Sequence, residues 1–291
     1  MVLGPPLTYL EALVLGIVQG VFMFVPVSST AHLVIAQHLL ISGGSSLPPP
    51  ESPEMILFDL FVHVGTLVSI AIVFHRSLWH LTTSTIAESL LFIRHPGKIG
   101  PYLKLVLLGL LTVLVTGVIG LAFREQFTHV FGTPQIVAIT LAITGVLLWM
   151  TDRLGPRRLG LKDIGIRIAI IIGIAQALAL MPGLSRSGLT IIAGLFAGLK
   201  RRWAAEYSFL VAIPTILAAT LVQSRDVIGT VGIQAIGAGP MLVGFAAAAL
   251  VGAVALKLVL VLLFRAQLKI FSFYLWALAA LVALGFMDSL L

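Results

Sequence analysis

Two short stretches place polar side chains inside a chain that is otherwise almost wholly apolar. PVSSTAH (26–32) carries Ser28, Ser29, Thr30 and His32, and PGLSRSGLT (182–190) carries Gly183, Ser185, Arg186, Ser187 and Thr190. Hydroxyls and an imidazole can move protons and donate hydrogen bonds. Arginine adds a planar, permanently charged fork that matches phosphate oxygens. His32 follows Ser29 by three residues, so on a helix the two share a face. Each stretch opens on a proline, which ends the helix before it because it lacks an N–H and clashes with the preceding turn. Ser28, Ser29 or Thr30 is expected to cap a helix over 30–42. Gly183 frees the backbone of the second break, and Ser185 and Ser187 supply donors where a helix over 187–199 begins. A helix N-terminus with free N–H groups and a positive dipole end favours an anion. The chemistry expected is the binding of a phosphate inside a membrane.

The elements that position these residues follow from composition. The chain has 291 residues, 59% hydrophobic and 10% charged, with a mean hydropathy of +1.12. Soluble domains run nearer half apolar and a quarter charged. The apolar segments recur throughout, which predicts an all-α polytopic membrane protein forming one integral domain over 1–291. The N-terminus lacks a basic segment before its first apolar run, so no cleavable signal is expected. Cysteine is absent, which excludes disulfides, thiolate nucleophiles and cysteine-bound metals. The net charge of +7 comes from residues scattered between apolar spans. That pattern fits loops anchored at a membrane surface and argues against nucleic-acid binding.

Windows of about twenty apolar residues predict about six transmembrane helices, near 55–75, 101–123, 133–152, 203–222, 238–264 and 270–290. A shorter segment at 79–93, with His80 and Glu88, is expected at the interface or the bundle edge. Residues 7–42 and 163–199 each contain two shorter apolar helices around a break, and both are expected to be re-entrant hairpins. Arg76, Arg94, Lys98 and Lys104 then share one side with Arg153, Arg157, Arg158, Lys162, Arg167, Lys200, Arg201, Arg202, Arg265 and Lys269. Arg124 and Arg225 fall on the other, and Arg186 and Lys257 lie at membrane depth. This asymmetry is the positive-inside pattern, and full crossings by either broken segment would destroy it. GIVQ (16–19) answers GIAQ (173–176), and Pro26 with Ser29 answers Pro182 with Ser185. Similar segments entering from opposite faces indicate an inverted-topology repeat, with the site where the breaks meet.

PVSSTAH and PGLSRSGLT resemble the two signatures of the undecaprenyl-diphosphate phosphatases, the bacitracin-resistance membrane enzymes. FDLFVHVGTLVSIAIVF (58–74) and AAEYSFLVAIP (204–214) extend the similarity over most of the chain. The resemblance implies a multi-pass enzyme of the bacterial plasma membrane with a site open to the outer side. It would remove the terminal phosphate of undecaprenyl diphosphate and so recycle the carrier lipid for cell-wall synthesis. Carried over by position, Ser29 is the nucleophile or its hydrogen-bonding partner and His32 the general acid/base. Arg186 holds the diphosphate with Ser28, Thr30, Gly183, Ser185, Ser187 and Thr190 around it. Gln19 matches the first position of the family's Glu/Gln-x-x-x-Glu motif.

Met23 stands where that motif has its second glutamate. A carboxylate there would share a helix face with Gln19 and could bind a divalent cation such as Mg²⁺ or Ca²⁺ or orient His32 and water. A thioether does neither, which puts turnover and cation use in question. Glu206 is a candidate substitute; Glu11 is about 18 Å away along a helix and too far. Three functional classes therefore stand: a polyprenyl-diphosphate phosphatase, an impaired homologue that binds or flips polyprenyl phosphate, and a non-catalytic lipid-binding scaffold. The retained Ser29, His32 and Arg186 favour the first. A homo-oligomer is compatible with the sequence, which leaves both oligomeric state and the role of Lys257 open.

Overall fold

The computed structural model describes residues 7–97, 99–123, 126, 134–228 and 237–285; Lys98 and Arg124 of the charge pattern lie outside them. Among the described residues the chain is all helical. It has eleven α-helices, one 3₁₀ turn at Leu161–Asp163 and a single isolated parallel bridge between Leu159 and Leu199. The helices are α1 (Tyr9–Phe24), α2 (Ser29–Ser42), α3 (Pro53–Val73), α4 (His75–Arg94), α5 (Pro101–Ala122), α6 (Pro134–Asp152), α7 (Ile166–Leu178), α8 (Arg186–Phe196), α9 (Arg201–Ile228), α10 (Ala238–Phe264) and α11 (Lys269–Ala283).

Five of these are long and apolar enough to cross a bilayer: α3, α5, α6, α9 and α10. They coincide with five of the six predicted spans, and the protein is a multi-pass membrane protein. Of the sixth expectation, 270–290, residues 286–290 lie outside the described residues; within the described ones α11 has 15 residues, short of the twenty or so that a span requires. Outward faces of the long helices are apolar, as lipid contact demands; on α5 the stripe is Leu107, Leu110, Leu114, Val118 and Leu121. Segment 79–93 belongs to α4, a 20-residue helix with no buried residue. It lies at the edge of the bundle, and Glu88 explains its place there. The Glu88 carboxylate accepts from the backbone N–H groups of Tyr102 and Leu103 at 2.9 and 2.7 Å, which satisfies two free donors at the start of α5.

The basic loops gather at one end of the molecule. Asp152, ending α6, accepts from the Lys269 N–H that opens α11 at 2.7 Å and lies 3.9 Å from Arg201 at the start of α9. Leu159 pairs through its backbone with Gly198 and Lys200, which brings the loop of Arg153, Arg157 and Arg158 to the same end.

Close helix approaches hold the interior together. α1 and α3 both pack along α10, and at Gly244 and Gly252 of α10 both helices are in reach. At Gly20, a Cβ would lie 2.9 Å from both the Ala248 carbonyl oxygen and the Gly252 nitrogen; at Gly65 it would lie 2.7 Å from the Phe245 carbonyl oxygen. Small residues are what permit two backbones to come this close when there is no hydrophobic drive between helices in lipid. α7 packs on α5 by the same device. A Cβ at Gly173 would meet the Thr112 carbonyl oxygen at 2.9 Å, while Thr112 and Thr116 donate across to the Ala169 and Gly173 carbonyls, each at 3.1 Å.

Gly20→Leu should therefore wedge α1 off α10 and destabilise the fold by about 1–3 kcal/mol or more, as overpacking does. The measurement is the thermal midpoint in detergent. Gly117→Ala, where an added Cβ meets nothing within 4 Å, should not lower the midpoint.

Candidate active site

The first break, between α1 and α2, is tighter than its sequence suggested. α2 begins at Ser29, and Ser28 before it holds φ 70° and ψ 91°. This left-handed conformation costs a residue with a side chain about 1–3 kcal/mol. The expected hydroxyl cap is absent: Ser28 makes no side-chain capping bond. His32 fixes the turn instead. Its Nδ1–H donates to the Ser28 carbonyl at 2.7 Å, which leaves Nε2 to accept from the Tyr274 hydroxyl at 2.5 Å. Phe22 stacks on the ring with centroids 3.9 Å apart. Both nitrogens of His32 are engaged, and its ring does not line the cavity described below.

The second break behaves as a capped helix start. Ser185 accepts from the Gly188 N–H at 3.2 Å, and α8 begins one residue earlier than predicted, at Arg186, and ends at Phe196. Gly183 turns the chain at φ 84°, in a position where a Cβ would strike the Val137 carbonyl oxygen at 2.8 Å. The Thr140 hydroxyl of α6 braces this turn by donating to the Pro182 carbonyl at 2.7 Å. Gly183 thus shapes the wall from behind. Thr190 donates to the Arg186 carbonyl at 2.9 Å, steadying the first turn of α8.

The two breaks meet. The Ser187 hydroxyl donates to the Phe24 carbonyl at 3.3 Å, and Gly188 leaves room for the ring of Pro26. Between them lies Met23. Its sulfur receives the Arg186 Nη2 at 3.4 Å, the Gln19 Nε2 at 3.6 Å and the Ser29 Oγ at 3.9 Å. Three donors converge on an atom that is only a weak acceptor. Gln19 is fully buried and reaches the site only through this sulfur. Arg186 has no carboxylate within 4 Å among the described residues and lines the cavity described next.

The cavity has a volume of about 670 Å³, within the range of small-molecule sites. Met23, Ser28, Ser29 and Thr30 line it from the first hairpin, and Ser185, Arg186 and Ser187 from the second. The rest of the wall was not anticipated. α3 contributes Asp59 and His63, one turn apart, and α5, α7 and α9 contribute Thr116, Gln176 and Thr215. Buried Gln37 of α2 donates to Asp59 Oδ1 at 3.0 Å. The signal for the α3 pair was present in FDLFVHVGT: ionisable residues inside a predicted span mark functional surface by default. Tyr274 had no local signal, since only the tertiary fold brings α11 to His32.

Glu206, weighed as a substitute for the missing motif carboxylate, instead accepts from Arg202 Nε at 2.8 Å and does not line the cavity. Lys257 is exposed on the outer face of α10 and takes no part in the site. A hard divalent cation needs oxygen ligands, and a thioether suits soft metals. Among the described residues no group of three His, Cys, Asp or Glu converges. The residues around Met23 do not fit a protein-held Mg²⁺ or Ca²⁺, and no step is derived through one.

The family model described as bacitracin resistance protein BacA matches residues 12–281. A protein of Alkalilimnicola ehrlichii named undecaprenyl-diphosphatase is 55% identical over 279 residues, covering 95% of this chain and 96% of that one. A namesake from Halorhodospira halophila is also 55% identical, covering 95% and 97%. One from Methanobrevibacter smithii is 35% identical, again covering 95% and 97%. On the family match and these identities, the chain belongs to the bacitracin resistance protein BacA family.

Proposed function

We propose that this protein is an undecaprenyl-diphosphatase of the bacterial plasma membrane, hydrolysing the terminal phosphate of undecaprenyl diphosphate. The observation that carries the reading is Arg186: an arginine without a carboxylate partner among the described residues, opening into a cavity between two helix N-termini. Such a cation requires an anion, and a phosphate on a lipid is the anion available at that depth.

The roles follow from position. Arg186 grips non-bridging oxygens of the diphosphate through its fork. The first amides of α2 carry no side-chain cap and are free for the terminal phosphate, where they offset charge that grows as the anhydride breaks. Ser29 stands among the donors as nucleophile or as the group that places it. Ser28, Thr30, Ser185 and Ser187 offer hydroxyls to the remaining oxygens. His32 contributes by holding the strained Ser28 turn and with it the direction of Ser29. The polyprenyl chain stays in lipid. Its cleaved product, the monophosphate, returns to service as the carrier of cell-wall precursors.

The same reading includes an inverted repeat of two re-entrant hairpins, α1–α2 and α7–α8. Support comes from helix lengths of 16, 14, 13 and 11 residues, too short to span. It comes also from the matched Gln19 and Gln176, and from the glycine-mediated packing of α1 on α10 and of α7 on α5. With the basic loops in the cytoplasm, the site opens to the outer side.

Purified protein should release inorganic phosphate from undecaprenyl diphosphate. Arg186→Ala should lower that rate about 10²–10³-fold, the usual loss when one transition-state donor is removed, and should weaken binding of the lipid diphosphate. Unchanged binding by this variant would overturn the site.

Met23→Glu places a carboxylate among three donors and should keep or raise the rate. An inert parent beside an active Met23→Glu would mean that this chain binds the lipid without hydrolysing it.

A further inference from the structure

Hydrolysis of an anhydride needs a group that takes a proton of the attacking water. The cavity narrows the choice. Its titratable lining residues are Asp59, His63 and Arg186, and arginine stays protonated. The motif carboxylate is replaced by Met23, and His32 has both nitrogens engaged outside the cavity wall. Resting on the phosphatase reading above, the geometry points to His63 as the general base of the reaction, a role that neither signature stretch carries.

The ring is already set for it. His63 Nδ1–H donates to the Asp59 carbonyl at 2.8 Å, and a carbonyl can only accept, so the neutral ring keeps its lone pair on Nε2. Fixing one nitrogen in this way selects the tautomer. Nε2 makes no hydrogen bond among the described residues and is not sealed from the cavity. Asp59 lies one turn away; Gln37 holds Oδ1, and Oδ2 makes no hydrogen bond among the described residues.

In the step, Nε2 accepts a proton of the attacking water, placed by Ser29, as the water oxygen bonds to the terminal phosphorus. The anhydride P–O bond breaks, and its electron pair leaves on the lipid monophosphate. Overall one water is consumed, inorganic phosphate is released, and the proton passes from His63 to solvent. The other ionisable groups on helices packed against α3 are occupied elsewhere or point away. Glu11 of α1 is held by Thr8 and Ser45, Glu206 of α9 by Arg202, Lys257 of α10 faces outward and α4 buries nothing. Arg186, across the cavity, carries the one facing positive charge among the lining residues.

The test is phosphate release from undecaprenyl diphosphate across pH by the parent, His63→Gln and His32→Gln, with lipid-diphosphate binding measured in parallel. His63→Gln should bind normally, lose about 10²–10⁴-fold in kcat, and lose the acidic limb of the parent's pH profile, since a base fails as it becomes protonated. His32→Gln should keep that limb. An active parent whose His63→Gln variant retains rate and profile overturns this inference and leaves the proposed function standing. A parent that releases no phosphate overturns both.

Discussion

Backbone polar groups cannot be left unpaired in hydrocarbon, and this fold breaks two helices where that constraint is most severe. Its solution is mutual. The carbonyl freed at Phe24 is taken by Ser187 of the other hairpin, the one at Pro182 by Thr140 of α6, and the one at Ser28 by His32. Each break is completed by a residue from another element or from the following helical turn. What remains, among the described residues, is a set of donors without a strong acceptor: the uncapped amides opening α2, and the Ser29 hydroxyl and Arg186 fork, which reach only the Met23 sulfur. A structure that must satisfy its acceptors and leaves donors over is a site for anions.

The frame around the breaks is rigid for a related reason. α1 and α7 each press a glycine against the backbone of a long helix, α10 and α5. Contact between backbones leaves little room for sliding, so the ends of both short helices are fixed relative to the spans behind them. The same device in both halves makes the two halves of the cavity equally firm. Asp59 and His63 arrive on α3, which is locked against α10 at Gly65.

Much of this was legible from residue types. Prolines inside apolar runs marked both breaks, and window hydropathy placed five spans almost to the residue, because lipid length is a stringent ruler. Within the described residues the sixth is a 15-residue helix. At the second break Ser185 caps as its type suggests, but the first is held by His32 and by strain at Ser28, and no local propensity encodes a left-handed serine. Met23 could be placed by its spacing from Gln19. That Arg186, Gln19 and Ser29 all aim at its sulfur required the two hairpins to be brought together. Asp59 and His63 were in plain view inside a span, yet their significance depends on which face of α3 meets the cavity, and a helix apolar all round does not announce its inner face.

The left-handed turn at Ser28, held by the His32 ring, fixes the direction in which the first amides of α2 point. In the reading proposed above, those dipoles would face the phosphate oxygens as charge builds on them. Shape, rather than movement of the protein, is what the left-handed serine contributes: one strained residue sets the direction of a whole helix start.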